Sequence, residues 1–125
     1  MSIGRPTLLI VSPDPSLAQG LGDLDILSAS NMEAASGALI KHEVALLLID
    51  SNASVDAEAL IKKALEADPE SQALILASEK DAAVARCIKA GAVEVLPRPC
   101  DSARLNAALS RAGKFWKRCQ SKSRT

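Results

Sequence analysis

The residues able to do chemistry are few. One acid, Asp50, closes the apolar run Leu46-Leu47-Leu48-Ile49, and a carboxylate recessed in that way needs a partner or a raised pKa. At the ends of the other apolar runs stand Ser12-Pro13-Asp14, Ala77-Ser78 and Pro97-Arg98-Pro99. Asp50 can serve a ligand, or it can order its own turn Asp50-Ser51-Asn52, because Asp and Asn side chains bond local backbone groups. The residue pattern by itself favours the turn. Asp14 directly precedes Pro15, the arrangement of a helix N-cap followed by a first-turn proline. His42 is the single histidine and there is no Gly-x-Ser-x-Gly elbow, which argues against a hydrolase. Cys87, Cys100 and Cys119 are odd in number and far apart, so they suit neither a disulfide framework nor a zinc site and read as reduced, packed thiols. Gly20-Leu21-Gly22 ends a helical pattern instead of opening one, the wrong place for a phosphate-binding loop.

These residues sit in a regular alternation. Apolar runs of strand length occur at Thr7–Val11, Asp25–Ala29, Val44–Ile49, Ala73–Ala77 and Ala92–Leu96. Several are nearly uninterrupted, as expected of strands buried on both faces. Helical patterns lie between them, with start signals at Asp14-Pro15, a capping box at Ser30-Asn31-Met32-Glu33, and Asp101 or Ser102 before the last helix. Asp56 to Ala67 is amphipathic and stops before Asp68-Pro69, and Gly91 reads as the C-terminal glycine of a helix over Ala82–Ala90. Strand-helix units repeated five times predict a parallel sheet with helices on both faces and right-handed crossovers. In such sheets, sites form outside the carboxyl ends of the strands, where Asp50, Ser12, Ser78 and Arg98 fall.

At 125 residues the chain has the length of one domain, with 48% hydrophobic and 24% charged residues. That excludes a two-domain enzyme and general disorder. Phe115 and Trp116 are its only aromatic residues, which argues against a base-stacking nucleic-acid platform. No apolar run approaches the about 20 residues of a membrane span, and Met1 to Pro6 lacks the layout of a signal peptide. A cytoplasmic place is expected. Net charge is zero, but six of the fifteen basic residues and none of the fifteen acidic ones follow Ser110. The body is therefore acidic and the end basic. In the last helix Leu105, Ala108, Leu109, Ala112, Phe115 and Trp116 make an apolar stripe. Leu109, Phe115 and Trp116 are its candidate partner contacts, although Phe115 and Trp116 can instead fold back onto the body. Residues 1–112 are expected to form the domain, with 113–125 the basic end of the last helix and a frayed tail from Ser121.

The five units, the strand ending in Asp50, the run Leu76-Ala77-Ser78, Ala90-Gly91-Ala92 before the fifth strand and Arg98-Pro99 together resemble the receiver domain of two-component response regulators. The resemblance covers the chain to about Ala112. It implies an α/β, flavodoxin-like (βα)5 three-layer sandwich with a parallel five-stranded sheet in the order 2-1-3-4-5. It also implies a phosphoryl acceptor at the position of Asp50 and magnesium held by an acidic pair after the first strand. Here that pair is Ser12-Pro13, so Asp50 is left as the one confidently placed carboxylate and Mg2+ binding is expected to be weak or absent. The hydroxyl position after the fourth strand is Ala77, with Ser78 one place later. The aromatic switch is Val95, and Arg98 replaces the usual lysine. Pro99 is retained, in a bond the family implies to be cis. The first crossover is shortened.

The expectation that follows is a degenerate receiver with no cofactor and no enzyme activity, working in a signalling pathway by protein contact. Arg98 either reaches Asp50 as a fixed positive charge or is solvated. Two alternatives are a working phospho-receiver, with Ser12, Ser78 and Arg98 supporting Asp50, and a nucleic-acid adaptor using the basic end. Expected partners are a signalling protein or a fused output domain. A homodimer is expected through the helix Ala82–Ala90, the fifth strand and the last helix. No membrane contact is expected.

Overall fold

The computed structural model describes residues 6–14, 24–53, 55–78, 81–97 and 100–123, with the backbone only at 83 and 121–123. The expected first helix, from Pro15 past Gly20 and Gly22, lies outside the described residues. Among those described, the order is β1 (Thr7–Val11), β2 (Asp25–Ala29), α1 (Met32–Lys41), β3 (Leu46–Asp50), α2 (Ala57–Ala67), β4 (Gln72–Leu76), α3 (Ala83–Ala90), β5 (Glu94–Leu96) and α4 (Ser102–Ser123). The strands form one sheet ordered β2-β1-β3-β4-β5, and every pair is parallel. This is the expected 2-1-3-4-5 arrangement.

The unbroken apolar runs are explained by the layers. Successive side chains of a strand point to opposite faces, and here both faces are covered. Leu9, Val11, Leu47, Ile49 and Ile75 pack with residues of α1, α2 and α3. Leu8, Ile10, Leu46, Leu48 and Leu74 pack with Leu105, Ala108, Leu109 and Ala112 of α4. All five residues of β3 are buried, its terminal Asp50 included.

Element ends follow local hydrogen bonding. The capping-box frame is corrected by one residue: Asn31, not Ser30, caps α1, its side chain accepting from the Ala34 amide. Asn is at least as good a cap as Ser, and this frame places Glu33 in the first turn rather than three residues on. Asp56 caps α2 by accepting from Ala59 N, and Asp101 caps α4 by accepting from Arg104 N at 2.7 Å. The fifth strand is shorter than its apolar run. Gly91 turns left-handed at φ 126°, and the amides of Gly91 and Ala92 close back on Cys87 and Ile88, which takes Ala92 into the helix cap. The third strand runs through Asp50 because Asp50 still pairs with Leu76. α4 is continuous through the 112/113 junction as far as Ser123, further than the frayed end expected from Ser121. No helix among the described residues is long and apolar enough to cross a membrane.

Gly37 lies in the interior of α1, and a Cβ built there meets nothing within 4 Å. Gly37→Ala is expected to stabilise the fold by about 0.5–1 kcal/mol, because glycine loses more backbone freedom on folding and alanine costs nothing sterically here. Urea denaturation checks this, with a raised midpoint and an unchanged slope.

Candidate functional site

Asp50 ends β3 and is only 2% exposed. Ser12, the first residue after β1, donates its hydroxyl to Asp50 Oδ2 at 2.8 Å. The amide of Asn52 donates to Asp50 Oδ1 at 2.9 Å, and the Ala53 amide donates to the Asp50 carbonyl. The amide of Asp14 donates in turn to Ser12 Oγ at 3.0 Å. Each carboxylate oxygen thus receives a protein donor. Parallel pairing of β1 with β3 brings the two chain ends side by side, with Val11 opposite Ile49. Asp50 therefore both orders its turn and gathers the residue after β1.

Of the other expected site residues, Ser78 is exposed and stays outside the Ser12–Asp50–Asn52 group. Ala77 is buried at the end of β4, its amide bound to the Leu96 carbonyl. Val95 packs against the core. Arg98 and Pro99 lie outside the described residues, and with them the expected Arg98–Asp50 contact and the cis bond. His42 ends α1, its amide capping the Ala38 carbonyl.

A cavity of about 420 Å³ opens at the carboxyl ends of β3 and β4, and Asp50, Asp56, Glu58, Asp81, Arg86 and Cys87 are among the residues that line it. Sequence reasoning took Asp56 only as the start of an amphipathic helix and did not single out Glu58, Asp81 or Arg86, which come from α2, from just before α3 and from α3, and share no motif. Cys87 is buried, and burial pushes its thiol pKa up, aided by Asp81 and Glu58 and opposed by Arg86. A buried thiol held protonated is a poor nucleophile. Burial raises the Cys100 pKa as well.

Of the magnesium site that the receiver resemblance implies, the described residues supply the Asp50 carboxylate and the Ser12 hydroxyl. Magnesium takes near-octahedral oxygen ligands, one or two of them carboxylates and several of them waters. Among the described residues no three of His, Cys, Asp or Glu come close enough to hold a metal ion. The Ser12 hydroxyl presents a proton, not a lone pair, to Asp50, the one buried carboxylate among the described residues.

The partner stripe is corrected in part. Leu109 is fully buried against the sheet, so no partner reaches it. Trp116 folds back: its ring packs against the core, and Nε1 donates to Asp68 Oδ2 at 3.0 Å. Phe115 is 50% exposed. Arg111 forms a salt bridge with Glu94 of β5 at 3.0 Å, while Lys114, Lys117 and Arg118 are exposed.

The arrangement has counterparts among solved structures. The signal receiver domain of an HD domain-containing protein from Pseudomonas fluorescens Pf-5 superposes with a TM-score of 0.82 at 21% identity, covering 97% of this chain and 96% of that one. A CheY-like response regulator receiver domain protein from Methanospirillum hungatei JF-1 gives 0.81 at 17% identity, over 92% and 98%. The fold is that of a receiver domain. NtrX from Brucella abortus matches at 0.77 and 21% identity over 94% of this chain, which spans only 29% of NtrX. At these identities the likeness to receiver domains is one of fold. No protein-family profile and no curated protein sequence matches the chain. In the receiver fold the carboxyl ends of β1 and β3 flank the point where strand order reverses, the position at which open α/β sheets build their sites. Ser12 and Asp50 occupy those two ends.

Proposed function

We propose that the chain is a receiver-type signalling module of the two-component class that acts by protein–protein contact and does not use metal-dependent phosphorylation. The observation that carries this reading is the pair of donors on Asp50: the Ser12 hydroxyl on one oxygen and the Asn52 amide on the other. A carboxylate held in that way is a structural tie. Phosphoryl transfer needs the opposite, an exposed nucleophilic oxygen with a cation to neutralise the charge that develops. The acting face is made by α3, β5 and α4, where Ile88 of α3, Val93 just before β5 and Phe115 of α4 are exposed apolar residues and Arg111 of α4 pairs with Glu94 of β5. The partner is a signalling protein, an output domain in the same polypeptide, or a second copy.

The deciding experiment is incubation with a small-molecule phosphodonor and magnesium, followed by intact-mass measurement. No phosphoryl adduct is expected. An adduct that forms on the natural chain and is missing from Asp50→Asn would instead establish a working phospho-receiver.

A further inference from the structure

The two halves of α4 are held to the body in different ways. Its first half is packed by Leu105, Ala108, Leu109 and Ala112, all buried. Beyond them comes Gly113, and from Lys114 to Gln120 no side chain is fully buried. What ties this second half down is the half-buried Trp116 ring and two polar contacts. Trp116 Nε1 donates to Asp68 Oδ2, and one turn later Gln120 Nε2 donates to Glu70 Oε2, both at 3.0 Å. Residues four apart share a helix face, so both bonds land on the single turn that links α2 to β4. Asp68 also accepts from the Glu70 amide through Oδ1, so one carboxylate fastens the helix and shapes the turn at once. Under this half of α4 lies a second cavity, of about 390 Å³, lined by Leu39, Val44, Ala64, Ala67, Trp116 and Gln120 among others. It sits at the opposite end of the sheet from Asp50.

We infer that residues 114–123 form a strap, hinged at Gly113 and clasped to the Asp68–Glu70 turn, whose closed state covers this cavity and withholds Trp116 from partners. Glycine is the least helix-favouring residue after proline, and it stands directly after Ala112, the last fully buried side chain of α4. A built Cβ on Gly113 would meet Pro6 Cγ at 3.6 Å and Leu46 Cδ1 at 3.9 Å. Both are ordinary contacts, so the position does not require glycine for space. Segments with few buried apolar contacts open on their own, below the free energy of global unfolding. Open, the strap presents Trp116 next to Phe115 and the exposed cations Lys114, Lys117 and Arg118, an aromatic anchor suited to an acidic partner surface. Closed, only Phe115 of that pair is on offer. The device is independent of how Asp50 behaves.

Trp116 is the only tryptophan and the chain has no tyrosine, so intrinsic fluorescence reports the strap alone. Under conditions where circular dichroism shows the fold intact, Asp68→Ala is expected to raise the acrylamide quenching constant about two-fold, and Gly113→Ala to lower it below that of the natural chain. In the natural chain, amide hydrogens of residues 117–120 are expected to exchange roughly tenfold or more faster than those of 105–112. Uniform protection along α4, or equal quenching in the Gly113→Ala variant and the natural chain, overturns the strap. The Gly113→Ala measurement and the exchange profile decide the matter even if Asp68→Ala does not fold.

Discussion

Gly91→Ala is expected to destabilise the fold by about 2–4 kcal/mol, lowering the melting temperature by roughly 10 °C. Two costs combine at this position. The backbone stands at φ 126°, a conformation that side chains with a Cβ rarely adopt. A Cβ there would also run into Leu65 Cδ1 of α2, with Ile61 Cγ2 next at 3.8 Å. The turn itself resists adjustment, because the Gly91 and Ala92 amides close the end of α3 and the Val93 amide then bonds to the Ala73 carbonyl to start β5. Adding Leu65→Ala separates the two costs. It relieves the collision but not the dihedral strain, so the double variant should lose less than the sum of the single losses. A Gly91→Ala protein within about 0.5 kcal/mol of the natural chain by urea denaturation would show that the turn can take another form.

The sheet was legible in the sequence because burial on both faces leaves its mark residue by residue. Leu8 to Val11 and Leu46 to Ile49 have no polar interruption, and both faces of β1 and β3 are in fact covered. Strand ends were less legible, since they are set by competition between the ladder and the neighbouring cap. Ala92 reads as strand by type but is held by Cys87 O. At α1, Ser30 and Asn31 are both good caps, and only the backbone frame chooses between them. For the site, sequence placed Ser12 and Asp50 at adjacent strand ends through the expected strand order. The direction of the bond between them follows only from side-chain geometry. The fate of the last helix was the hardest to read. Its period groups Leu105, Ala108, Leu109, Ala112 and Trp116, which do meet the core, with Phe115, which does not, because period does not say which turns overlie the sheet. Leu109 proved to be core, and Trp116 found its acceptor in Asp68, 48 residues away. No local signal connects those two.

Replacing Asp50 tests whether its carboxylate stabilises the fold or is merely tolerated. Asp50→Ala removes both acceptors from a buried position, leaving the Ser12 hydroxyl and the Asn52 amide to find new partners. Hydrogen bonds to a charged group contribute about 1.5–3 kcal/mol each, and losing one partner leaves the other's desolvation uncompensated. A loss of about 2–4 kcal/mol is therefore expected. Asp50→Asn should cost less, about 1 kcal/mol. Its carbonyl oxygen can still accept from Asn52, and its amide can donate to Ser12 Oγ, since a hydroxyl oxygen carries two lone pairs and Asp14 N uses only one. Ser12→Ala should fall between them. The sign of these effects separates the two accounts of the site. A carboxylate crowded by like charges, as in a pocket built to hold a cation, gains stability when neutralised, because repulsion raises the free energy of the charged form. A carboxylate supported by donors loses it. If Asp50→Asn and Asp50→Ala both stabilise the protein in denaturant titrations, the structural-tie reading fails. If both destabilise it, and the Ser12→Ala and Asp50→Ala losses are strongly non-additive, the hydroxyl and the carboxylate act as one unit.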